Sequence, residues 1–390
     1  MDTKSIDALR ADIDETDREI LRLGAHRAAL GSQIARAKAA AGEPVRDPLR
    51  ERAVLKAAIE AGEAIGLDGA AVERLYQTLI DLSLKGQRAE LDARAAGTGG
   101  EASVAYLGGP GSYSHFAAQA HFSGRHAGVA PVVKRDFGSI VKAVEEGEAD
   151  YAFLPIENTT TGSINEVYDL LLDTSLTLVG EHHYRVRHCL VGRANNPDAV
   201  TTVYGHPQAL AQCRRFLAKM PGVTQRFASS STRALEHAME EGPSVGAIAG
   251  ADAARLFGLN VIAEEAVADS DENYTRFVAL ARDAVPPARN LPCKTSIVFA
   301  TAHTPGALVD VLAAFRDEGV NLARLESRPV RGAPWEEMFF LDLEGHRDDP
   351  ACHRALEAMN RHAVRLRVLG CYGADRLAPT SVLHETGTAG

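Results

Sequence analysis

The chain has 390 residues, more than one ordinary hydrophobic core holds, so several domains are expected. Its composition, with 45% hydrophobic and 24% charged residues, is that of a globular protein and excludes global disorder. The formal net charge of -10 argues against nucleic acid or an anionic membrane as partner, because both attract basic surfaces.

Helical periodicity runs from Ser5 to about Asp92, interrupted by GEPVRDP at 42–48 and by GLDG at 66–69. The sequence therefore predicts three helices, the second capped by Asp47 and closed by Gly66. Apolar residues of the first helix recur at heptad spacing and predict a continuous buried seam of Ile6, Leu9, Ile13, Ile20, Leu23, Leu30 and Ile34. A coiled-coil oligomerisation module is the alternative interpretation.

Cationic side chains lie along this apolar stripe. Arg27 falls on the seam, and Lys38 lies about 20° from it around the helix axis at roughly 100° per residue. A single such cation more often covers apolar surface with its stem while its charge reaches water. In the third helix, however, Ser83 and Gln87 also interrupt an apolar face, one turn apart. Because unpaired buried polar groups are costly, this pattern predicts a polar ligand or water between the helices.

The separation of Arg10 and Arg27 constrains any ligand that they share. Seventeen residues correspond to roughly 25 Å along a straight helix at about 1.5 Å per residue. One small molecule cannot contact both in one chain. If both serve one site, Arg10 must come from a second chain packed antiparallel, which predicts an intertwined homodimer.

The polar residues of this region match the active-site set of the all-helical chorismate mutases, and residues 5–92 resemble that family. The matched positions are Arg10, Arg27, Lys38, Asp47, Arg50, Glu51, Ser83 and Gln87. Gly24 and His26, within LRLGAHR, depart from the residues more usual there. The resemblance implies an all-α domain over residues 1–92 that rearranges chorismate to prephenate. That pericyclic reaction needs a compressed conformer and charge stabilisation, not a nucleophile.

The same resemblance implies a role for each polar residue. Arg10 and Arg27, helped by Ser83, would hold the two carboxylates of chorismate. Lys38 and Gln87 would meet the negative charge that develops on the breaking ether oxygen. Glu51 would contact the substrate hydroxyl. Asp47 and Arg50 would orient the other side chains.

A small, polar segment, DARAAGTGGEAS, follows the helices and predicts a flexible linker over 93–102. From Ser103 short apolar runs alternate with helical ones, which is the βαβ pattern of a parallel sheet. A second cycle begins near Thr202, with PQALAQCRRFLAKM as one helix, and the chain returns through ENYTRFVALAR. Two α/β lobes with a cleft between them are therefore predicted over residues 103–285.

The first strand of this region leads into a glycine-rich turn, LGGPGSYSH, with Asp136 after the next strand. This arrangement is similar to a dinucleotide-binding fingerprint, so a nicotinamide-dependent dehydrogenase using the turn at 108–114 is the alternative function. Pro110, however, removes a backbone donor where a pyrophosphate would bind. A turn that presents Ser112 and Ser114 to a small anion fits better.

Three polar stretches in the two lobes stand out. PIENTTTGSIN at 155–165 ends a strand, where open α/β sheets place ligands, and HPQALAQC places Gln208 and Gln212 one turn apart. ENYTRF joins a hydroxyl, Thr275, to a cation, Arg276. Each stretch alone is more often a capped loop or a structural hydroxyl than a site. Together they resemble the prephenate dehydratases over residues 103–282, with N-x-T-R-F as the most specific motif.

The dehydratase resemblance implies a two-lobed fold like that of periplasmic binding proteins, and loss of carbon dioxide and water from prephenate. Thr275 would protonate the leaving hydroxyl, and Arg276 would anchor a carboxylate. Asn158 and Gln212 would orient the ring and its hydroxyl. Further substrate contacts are expected from Ser112, Ser114, Thr159 and Gln208. A non-catalytic solute-binding protein is the other alternative, although such proteins normally carry a secretory signal.

Two positions depart from the dehydratase pattern. The usual Gly-Pro-x-Gly occurs here as GGPG at 108–111, and Gly205 precedes HPQ where a hydroxyl residue is common. We therefore assign no role to either position.

After the break VPPARNLP, residues 294–374 follow a βαββαβ order, and residues 375–390 form a loose tail. With TPGALVDVL opening the first helix and LESRP ending the second strand, this module resembles the amino-acid-sensing ACT domain of the same dehydratases. The resemblance implies feedback inhibition by L-phenylalanine, bound by Gly306, Ala307, Leu308, Val309, Glu326, Ser327, Arg328 and Pro329. Because such sheets commonly pair across dimers, we expect the pocket at an interface; a plain dimerisation domain is the alternative.

The three resemblances occur in the order of a bifunctional chorismate mutase/prephenate dehydratase, and the product of the first module is the substrate of the second. The expected ligands are small molecules: chorismate, prephenate and L-phenylalanine. Neither reaction needs a cofactor or a metal. Five widely spaced cysteines without a C-x-x-C pair, and an acidic N-terminal segment without a signal pattern, predict a cytoplasmic protein. Whether homodimers associate further is left open.

Overall fold

The computed structural model describes residues 5–41, 48–95, 100–123, 125–270, 272–283, 287, 291–329 and 337–375, without the side chains of 35, 39, 40, 48 and 85–95. Two predicted site groups, Asp47 and the side chain of Gln87, lie outside the described residues. The helical N-terminal segment belongs to one compact unit, and residues 98–286 together with 294–375 form a second.

The N-terminal unit is helical, as its periodicity predicts. Its helices are α1 (Ile6–Ala41), α2 (Pro48–Ala64) and α3 (Gly69–Ala95). α3 packs against both α1 and α2, and Ala58, Ile59 and Val72 form a small buried core. Between α2 and α3, Gly66 has φ +86°, a left-handed conformation that glycine adopts without steric cost. The predicted end of the second helix is therefore confirmed.

The apolar seam predicted for α1 is not buried within one chain. Its seven residues are between 44% and 69% exposed. α3 contacts α1 near Gly24 and Arg27, where Leu79 approaches both residues, and leaves the rest of the stripe uncovered. The prediction of a buried seam is therefore wrong for the isolated chain.

The second unit begins with one α/β lobe. In chain order its elements are β1 (Ala102–Leu107), α4 (Tyr113–Phe122), β2 (Val129–Lys134), α5 (Phe137–Glu145), β3 (Tyr151–Asn158), β4 (Gly162–Ser163), α6 (Asn165–Asp173) and β5 (Thr177–Arg185). Near-continuous apolar runs make β1 and β3 the buried centre of this lobe.

The chain then crosses into a second α/β lobe. Its elements are β6 (Cys189–Gly192), β7 (Thr202–Gly205), α7 (Pro207–Ala211), α8 (Arg214–Leu217), β8 (Thr224–Phe227), α9 (Ser231–Glu240), β9 (Val245–Ala249), α10 (Ala251–Leu256) and β10 (Asn260–Ala263). The single helix predicted over PQALAQCRRFLAKM is wrong: it is divided into α7 and α8. The carbonyl of Gln212 accepts from the backbone N–H of Asp269 at 2.7 Å instead of continuing the helix.

The chain returns to the first lobe as β11 (Tyr274–Ala281). The strand order is β2-β1-β3-β11-β5 in the first lobe and β10-β6-β9-β7-β8 in the second. β1 is parallel to β2 and β3, but β11 runs antiparallel to both β3 and β5. The predicted parallel sheet is thus a mixed one, because the strands that leave and re-enter the lobe run in opposite directions. Two lobes joined by two crossovers give the expected two-lobed dehydratase fold.

The C-terminal module has the predicted βαββαβ order. Its elements are β12 (Cys293–Thr301), α11 (Ala307–Asp317), β13 (Leu322–Pro329), β14 (Glu337–Glu344), α12 (Pro350–Asn360) and β15 (Ala363–Gly373), with strand order β13-β14-β12-β15. One face of this sheet packs under α11 and α12. Side chains of the other face, including Phe340 and Tyr372, share a core with Tyr168 and Leu171 of the first lobe. The first lobe therefore covers the open face of the sheet.

Gly370 of β15 lies against Leu178 of β5, so closely that a Cβ atom would overlap the Leu178 carbonyl oxygen. Gly370→Ala is therefore expected to cost about 1–3 kcal/mol of unfolding free energy, as overpacking typically does. Thermal and denaturant unfolding will measure the loss. Gly138→Ala is the matched control, because a Cβ there meets only Asp136 Oδ1 at 3.4 Å. Equal stability of the two variants would contradict this packing.

Candidate active sites and effector site

The helical unit brings two of its predicted site residues into direct contact. Arg27 Nη1 donates to Ser83 Oγ at 2.7 Å and to the Leu79 carbonyl at 2.6 Å. Ser83 is only 8% exposed and donates to the same carbonyl at 2.9 Å. Facing polar groups thus meet between α1 and α3, which fixes the guanidinium on an otherwise apolar helix surface.

The other described residues of this set lie along α1 and at the start of α2. Lys38, near the end of α1, and Glu51, in the first turn of α2, are half-buried, whereas Arg50 is exposed. Arg10 is exposed as well and forms an ion pair with Asp7 at 3.7 Å.

In the dehydratase unit, Asn158 at the end of β3 is paired in register with Thr275 on β11. Backbone N–H groups of Thr160 and Thr161 donate to Asn158 Oδ1 at 3.0 and 3.2 Å, so the amide nitrogen must point the other way. Asn158 Nδ2 then donates to Thr275 Oγ1 at 3.0 Å. Because the Thr275 oxygen accepts this bond, the hydroxyl proton can be directed to a molecule in the cleft.

Gln212 and Gln208 of the second lobe reach threonines that follow β3 in the first. Gln212 Nε2 donates to Thr160 Oγ1 at 3.0 Å, and Gln208 Nε2 donates to Thr161 Oγ1 at 2.9 Å. Thr160 in turn donates to Asn158 Oδ1 at 2.5 Å. Residues predicted from three separate stretches of sequence therefore meet between the lobes.

Sequence reasoning missed two groups that hold Gln212. Its Oε1 accepts from Asn273 Nδ2 at 3.0 Å and lies 2.7 Å from His188 Nε2. Since that oxygen is an acceptor, His188 Nε2 carries a proton. Asn273 belongs to ENYTRF and could have been found from its motif. His188 lies between β5 and β6, with no local pattern to single it out.

His188 is buried at 4% exposure, and its Nδ1 lies 3.0 Å from the Tyr113 hydroxyl. Burial lowers the pKa of His188, although the hydrogen bond to Gln212 opposes the shift. The neutral ring with its proton on Nε2 therefore completes one directed chain of hydrogen bonds, from His188 through Gln212 and Thr160 to Asn158.

Arg276 is not in the cleft, which corrects its predicted role as a carboxylate anchor. Adjacent strand residues face opposite sides of a sheet, and here Thr275 faces the cleft. Arg276 is 6% exposed on the other side, where it pairs with Glu181 at 2.8 Å and Asp342 at 2.7 Å.

Two further predicted substrate contacts also have structural partners. Ser112 is the N-cap of α4 and accepts from the His115 backbone N–H at 3.2 Å, while Ser114 is buried at 8% exposure. The Thr159 hydroxyl donates to the Glu272 carbonyl at 2.7 Å. Loop closure uses the Thr159 hydroxyl as donor and acceptor, which corrects that prediction. Capping uses only an acceptor site of the Ser112 hydroxyl, so its substrate contact stays a prediction. The threonine of this stretch that joins the polar chain is Thr160.

The glycine-rich turn has a structural explanation. Gly108 and Gly111 have φ of +84° and +90°, and a Cβ at Gly111 would meet Phe257. Asp136, the expected ribose ligand of the dehydrogenase alternative, caps α5 by accepting from the Ser139 N–H at 2.7 Å. These residues therefore have local roles that need no nucleotide.

The predicted effector residues are divided between two places. Gly306, with φ +85°, precedes the first turn of α11, and residues 301–309 line an open cavity of about 390 Å³. On β13, Glu326 accepts from Ser163 at 2.8 Å and Arg328 pairs with Asp169 at 3.0 Å, so both face the first lobe. Ser327 and Pro329 alternate with them and are exposed. No β13 residue is among those that line the described cavity.

Within the described ranges, no helix has the length and apolarity that crossing a membrane requires. The same residues hold no cluster of His, Cys, Asp and Glu arranged to bind a metal ion. All five cysteines are buried thiols.

Comparisons with known proteins follow the same division of the chain. Models of chorismate mutase type II, prephenate dehydratase and the ACT domain match residues 9–88, 104–285 and 295–359. A bifunctional chorismate mutase/prephenate dehydratase of Enterobacter agglomerans is 39% identical over 375 residues, which cover 95% of this chain and 97% of that protein.

Two solved structures are similar to the second unit. A prephenate dehydratase from Arthrobacter aurescens in complex with L-Phe is 28% identical with a TM-score of 0.63, covering 73% of this chain and 96% of the other. A structure described as a quorum-quenching acylase, GqqA, is 32% identical with a TM-score of 0.63, covering 70% and 98%. Because a protein described as an acylase and a prephenate dehydratase both have this fold, the fold alone does not decide the activity.

The three matched models and the relative matched over 95% of this chain do decide the class, which is an isomerase joined to a lyase and a regulatory domain. The chain belongs to the bifunctional chorismate mutase/prephenate dehydratase family. Nothing in these comparisons supports the dehydrogenase alternative.

His188 tests the directed chain of hydrogen bonds. His188→Phe removes the proton donated to Gln212 and is expected to lower the dehydratase kcat by up to about 100-fold, because small misplacements of catalytic groups are costly. His188→Gln can place an amide N–H near the lost Nε2 and should recover part of the rate. Steady-state kinetics with prephenate will measure both. Equal rates for the two variants would contradict a donor role.

Proposed function

We infer that this chain rearranges chorismate to prephenate, converts prephenate to phenylpyruvate by loss of carbon dioxide and water, and is feedback-inhibited by L-phenylalanine. Family membership carries both activities and the regulation. The structural observation that best supports the dehydratase chemistry is the Thr275 hydroxyl, which accepts from Asn158 and so keeps its proton for a ligand.

In the mutase site, the substrate supplies the bond changes and the protein supplies fixed charge. Arg27, held by Ser83, takes one carboxylate of chorismate. Lys38 and Gln87 stabilise the charge that develops on the ether oxygen, a contribution made mainly in the transition state. Glu51 binds the substrate hydroxyl, and the pair Asp47 and Arg50 orients these groups.

The second carboxylate requires Arg10 from a partner chain. The exposed seam of α1 supports this proposal, because a continuous apolar stripe on a helix is normally covered by another helix. An antiparallel partner would cover it and place its Arg10 near Arg27. We therefore propose an intertwined homodimer in the cytoplasm, where the five cysteine thiols would stay reduced.

Lys38→Ala is expected to lower the mutase kcat by about 10²- to 10³-fold, or about 2.7–4 kcal/mol, as loss of a preorganised transition-state donor does. Conversion of added prephenate should stay at the wild-type rate, because it uses a separate site. An unchanged turnover of chorismate would refute the assignment.

Mixed dimers sharpen this test. Arg10→Ala and Lys38→Ala chains should each lack mutase activity. After denaturation and refolding together, each hybrid dimer holds one intact site, so about a quarter of the wild-type activity is expected at equal mixing. No recovery, although hybrid dimers form, would exclude a shared site.

In the dehydratase site, Thr275 gives its proton to the leaving ring hydroxyl as the carboxylate departs as carbon dioxide. Formation of the aromatic ring drives the reaction, so a weak acid held in place is sufficient. With Arg276 on the other face, the donors that reach across the lobes in the described part of the chain include two neutral amides, Gln208 and Gln212. Substrate binding would exchange their contacts across the lobes for contacts with prephenate.

Thr275→Val keeps the shape of the side chain and removes the proton. We expect a fall in dehydratase kcat of about 10²- to 10⁴-fold, the range for general acid catalysis, with the mutase rate preserved. Purified wild-type chain supplied with chorismate and no cofactor should form prephenate and phenylpyruvate, whereas the variant should accumulate prephenate. Near wild-type formation of phenylpyruvate by the variant would remove Thr275 from the mechanism.

L-phenylalanine is proposed to bind at the start of α11. Backbone N–H groups of Leu308 and Val309 suit its carboxylate, and Gly306 permits close approach. The N–H of Ala307 donates to the Thr304 carbonyl at 3.2 Å and helps to shape this turn. The exposed residues of β13, Ser327 and Pro329, would complete the pocket from a partner chain, in agreement with the division of the effector residues seen in one chain.

A further inference from the structure

The two strands that carry the catalytic pair have a second face, which the ACT sheet covers. On β11, the residue after Thr275 is Arg276. Its Nη1 lies 2.7 Å from Asp342 Oδ2 on β14, its Nε donates to Glu181 on β5 at 2.8 Å, and its Nη2 donates to the Tyr372 hydroxyl at 3.1 Å. These residues are all at most 7% exposed, so Arg276 links the dehydratase and ACT sheets inside the protein.

The charges of this cluster balance. Lys294 of β12 lies 2.9 Å from the second oxygen of Glu181, so two cations face two anions. Burial alone would raise the pKa of Asp342, but the charge of Arg276 and a hydrogen bond from Ser296 lower it, and the carboxylate stays ionised. Loss of either partner would leave a buried charge without compensation, which proteins tolerate poorly.

A second ion pair connects strand β3 to the ACT sheet. The residue before Asn158 is Glu157, which forms an ion pair with Arg324 of β13. Arg324 also donates to Ser163 at 2.8 Å and lies 3.2 Å from Glu326, a predicted effector residue on the same strand. Glu157 is thus connected to the ACT strand that carries the effector motif.

Register places these two contacts side by side, although Arg276–Asp342 is buried and the Glu157 side chain is 35% exposed. Thr275 pairs with Asn158 across β11 and β3, and the adjacent pair is Arg276 with Glu157. The pair Glu157 and Arg276 contacts two neighbouring ACT strands: Glu157 contacts β13, and Arg276 contacts β14. Neighbouring positions of the two catalytic strands are therefore tied to neighbouring strands of the ACT sheet.

We propose that Glu157 and Arg276 are positioning residues, through which the ACT sheet sets the Asn158–Thr275 hydrogen bond. A shift of β13 relative to β14 displaces Glu157 relative to Arg276, and the neighbouring catalytic residues move with them. Inhibition by L-phenylalanine then acts on the 3.0 Å contact that orients the Thr275 hydroxyl. This inference rests on the proposed function, because it names the route from the effector to the dehydratase site.

Arg324→Met breaks the pair with Glu157 and leaves the catalytic residues intact. The expected result is a dehydratase whose KM for prephenate is unchanged, whose kcat falls less than tenfold, and whose half-inhibiting L-phenylalanine concentration rises at least tenfold. Calorimetry should show L-phenylalanine still bound, which separates lost transmission from lost binding. Arg324→Lys keeps the charge and should restore inhibition in part.

Arg367→Met is the matched control. Arg367 also reaches from the ACT sheet to the first lobe, where it donates to the carbonyls of Leu171, Leu172 and Thr174 at the end of α6. It contacts neither β3 nor β11 there, so its loss should leave L-phenylalanine inhibition at the wild-type concentration. Asp342→Asn supplies a second break, on the β14 side, should Arg324→Met fold poorly.

The inference is overturned if Arg324→Met or Asp342→Asn binds L-phenylalanine and is inhibited at the wild-type concentration. It is also overturned if Arg367→Met loses inhibition to the same extent, because any weakening of the interface would then be sufficient. Wild-type protein tests the proposed function separately. A wild-type dehydratase that L-phenylalanine does not inhibit would overturn that function, and this inference with it.

Discussion

The hydrogen bond from the Asn158 amide to the Thr275 hydroxyl is the contact on which the dehydratase half of this protein depends. It joins directly paired residues of two antiparallel strands, so strand register fixes its length. Its direction is fixed too, because backbone N–H groups hold the oxygen of Asn158. The threonine proton is thereby turned toward the cleft. A substrate that becomes aromatic on losing water and carbon dioxide needs little catalytic help beyond this positioned proton donor.

Strand alternation gives this pair of strands two functions. Asn158 and Thr275 face the cleft, while Glu157 and Arg276 face the ACT sheet one residue away. Chemistry and its control can therefore occupy opposite faces of the same strands without competing for the same side chains. This arrangement accounts for a motif, N-x-T-R-F, whose neighbouring polar residues have unlike surroundings.

Sequence reasoning succeeded where the relevant contacts are local or periodic. Helical spacing was sufficient to predict that polar groups of α1 and α3 face each other, as Arg27 and Ser83 do. It failed for Arg276 because alternation says which residues lie on opposite faces, not which face is the cleft. That choice depends on where the ACT sheet docks. His188 was missed for a similar reason, since its partners Tyr113 and Gln212 lie 75 and 24 residues away.

Two kinds of contact have different roles at the interface between the dehydratase domain and the ACT sheet. Apolar contacts hold the two parts together, and ion pairs fix the position of one relative to the other. Apolar contacts such as the one between Tyr168 of α6 and Phe340 of β14, with ring centroids 4.8 Å apart, hold the first lobe and the ACT sheet together but tolerate sliding. A buried ion pair such as Arg276–Asp342 does not, because a small displacement leaves a buried charge without its partner. A purely apolar interface of similar size would be at least as adhesive. We infer that charges are retained here because they fix the position of β3 and β11, which adhesion alone cannot do.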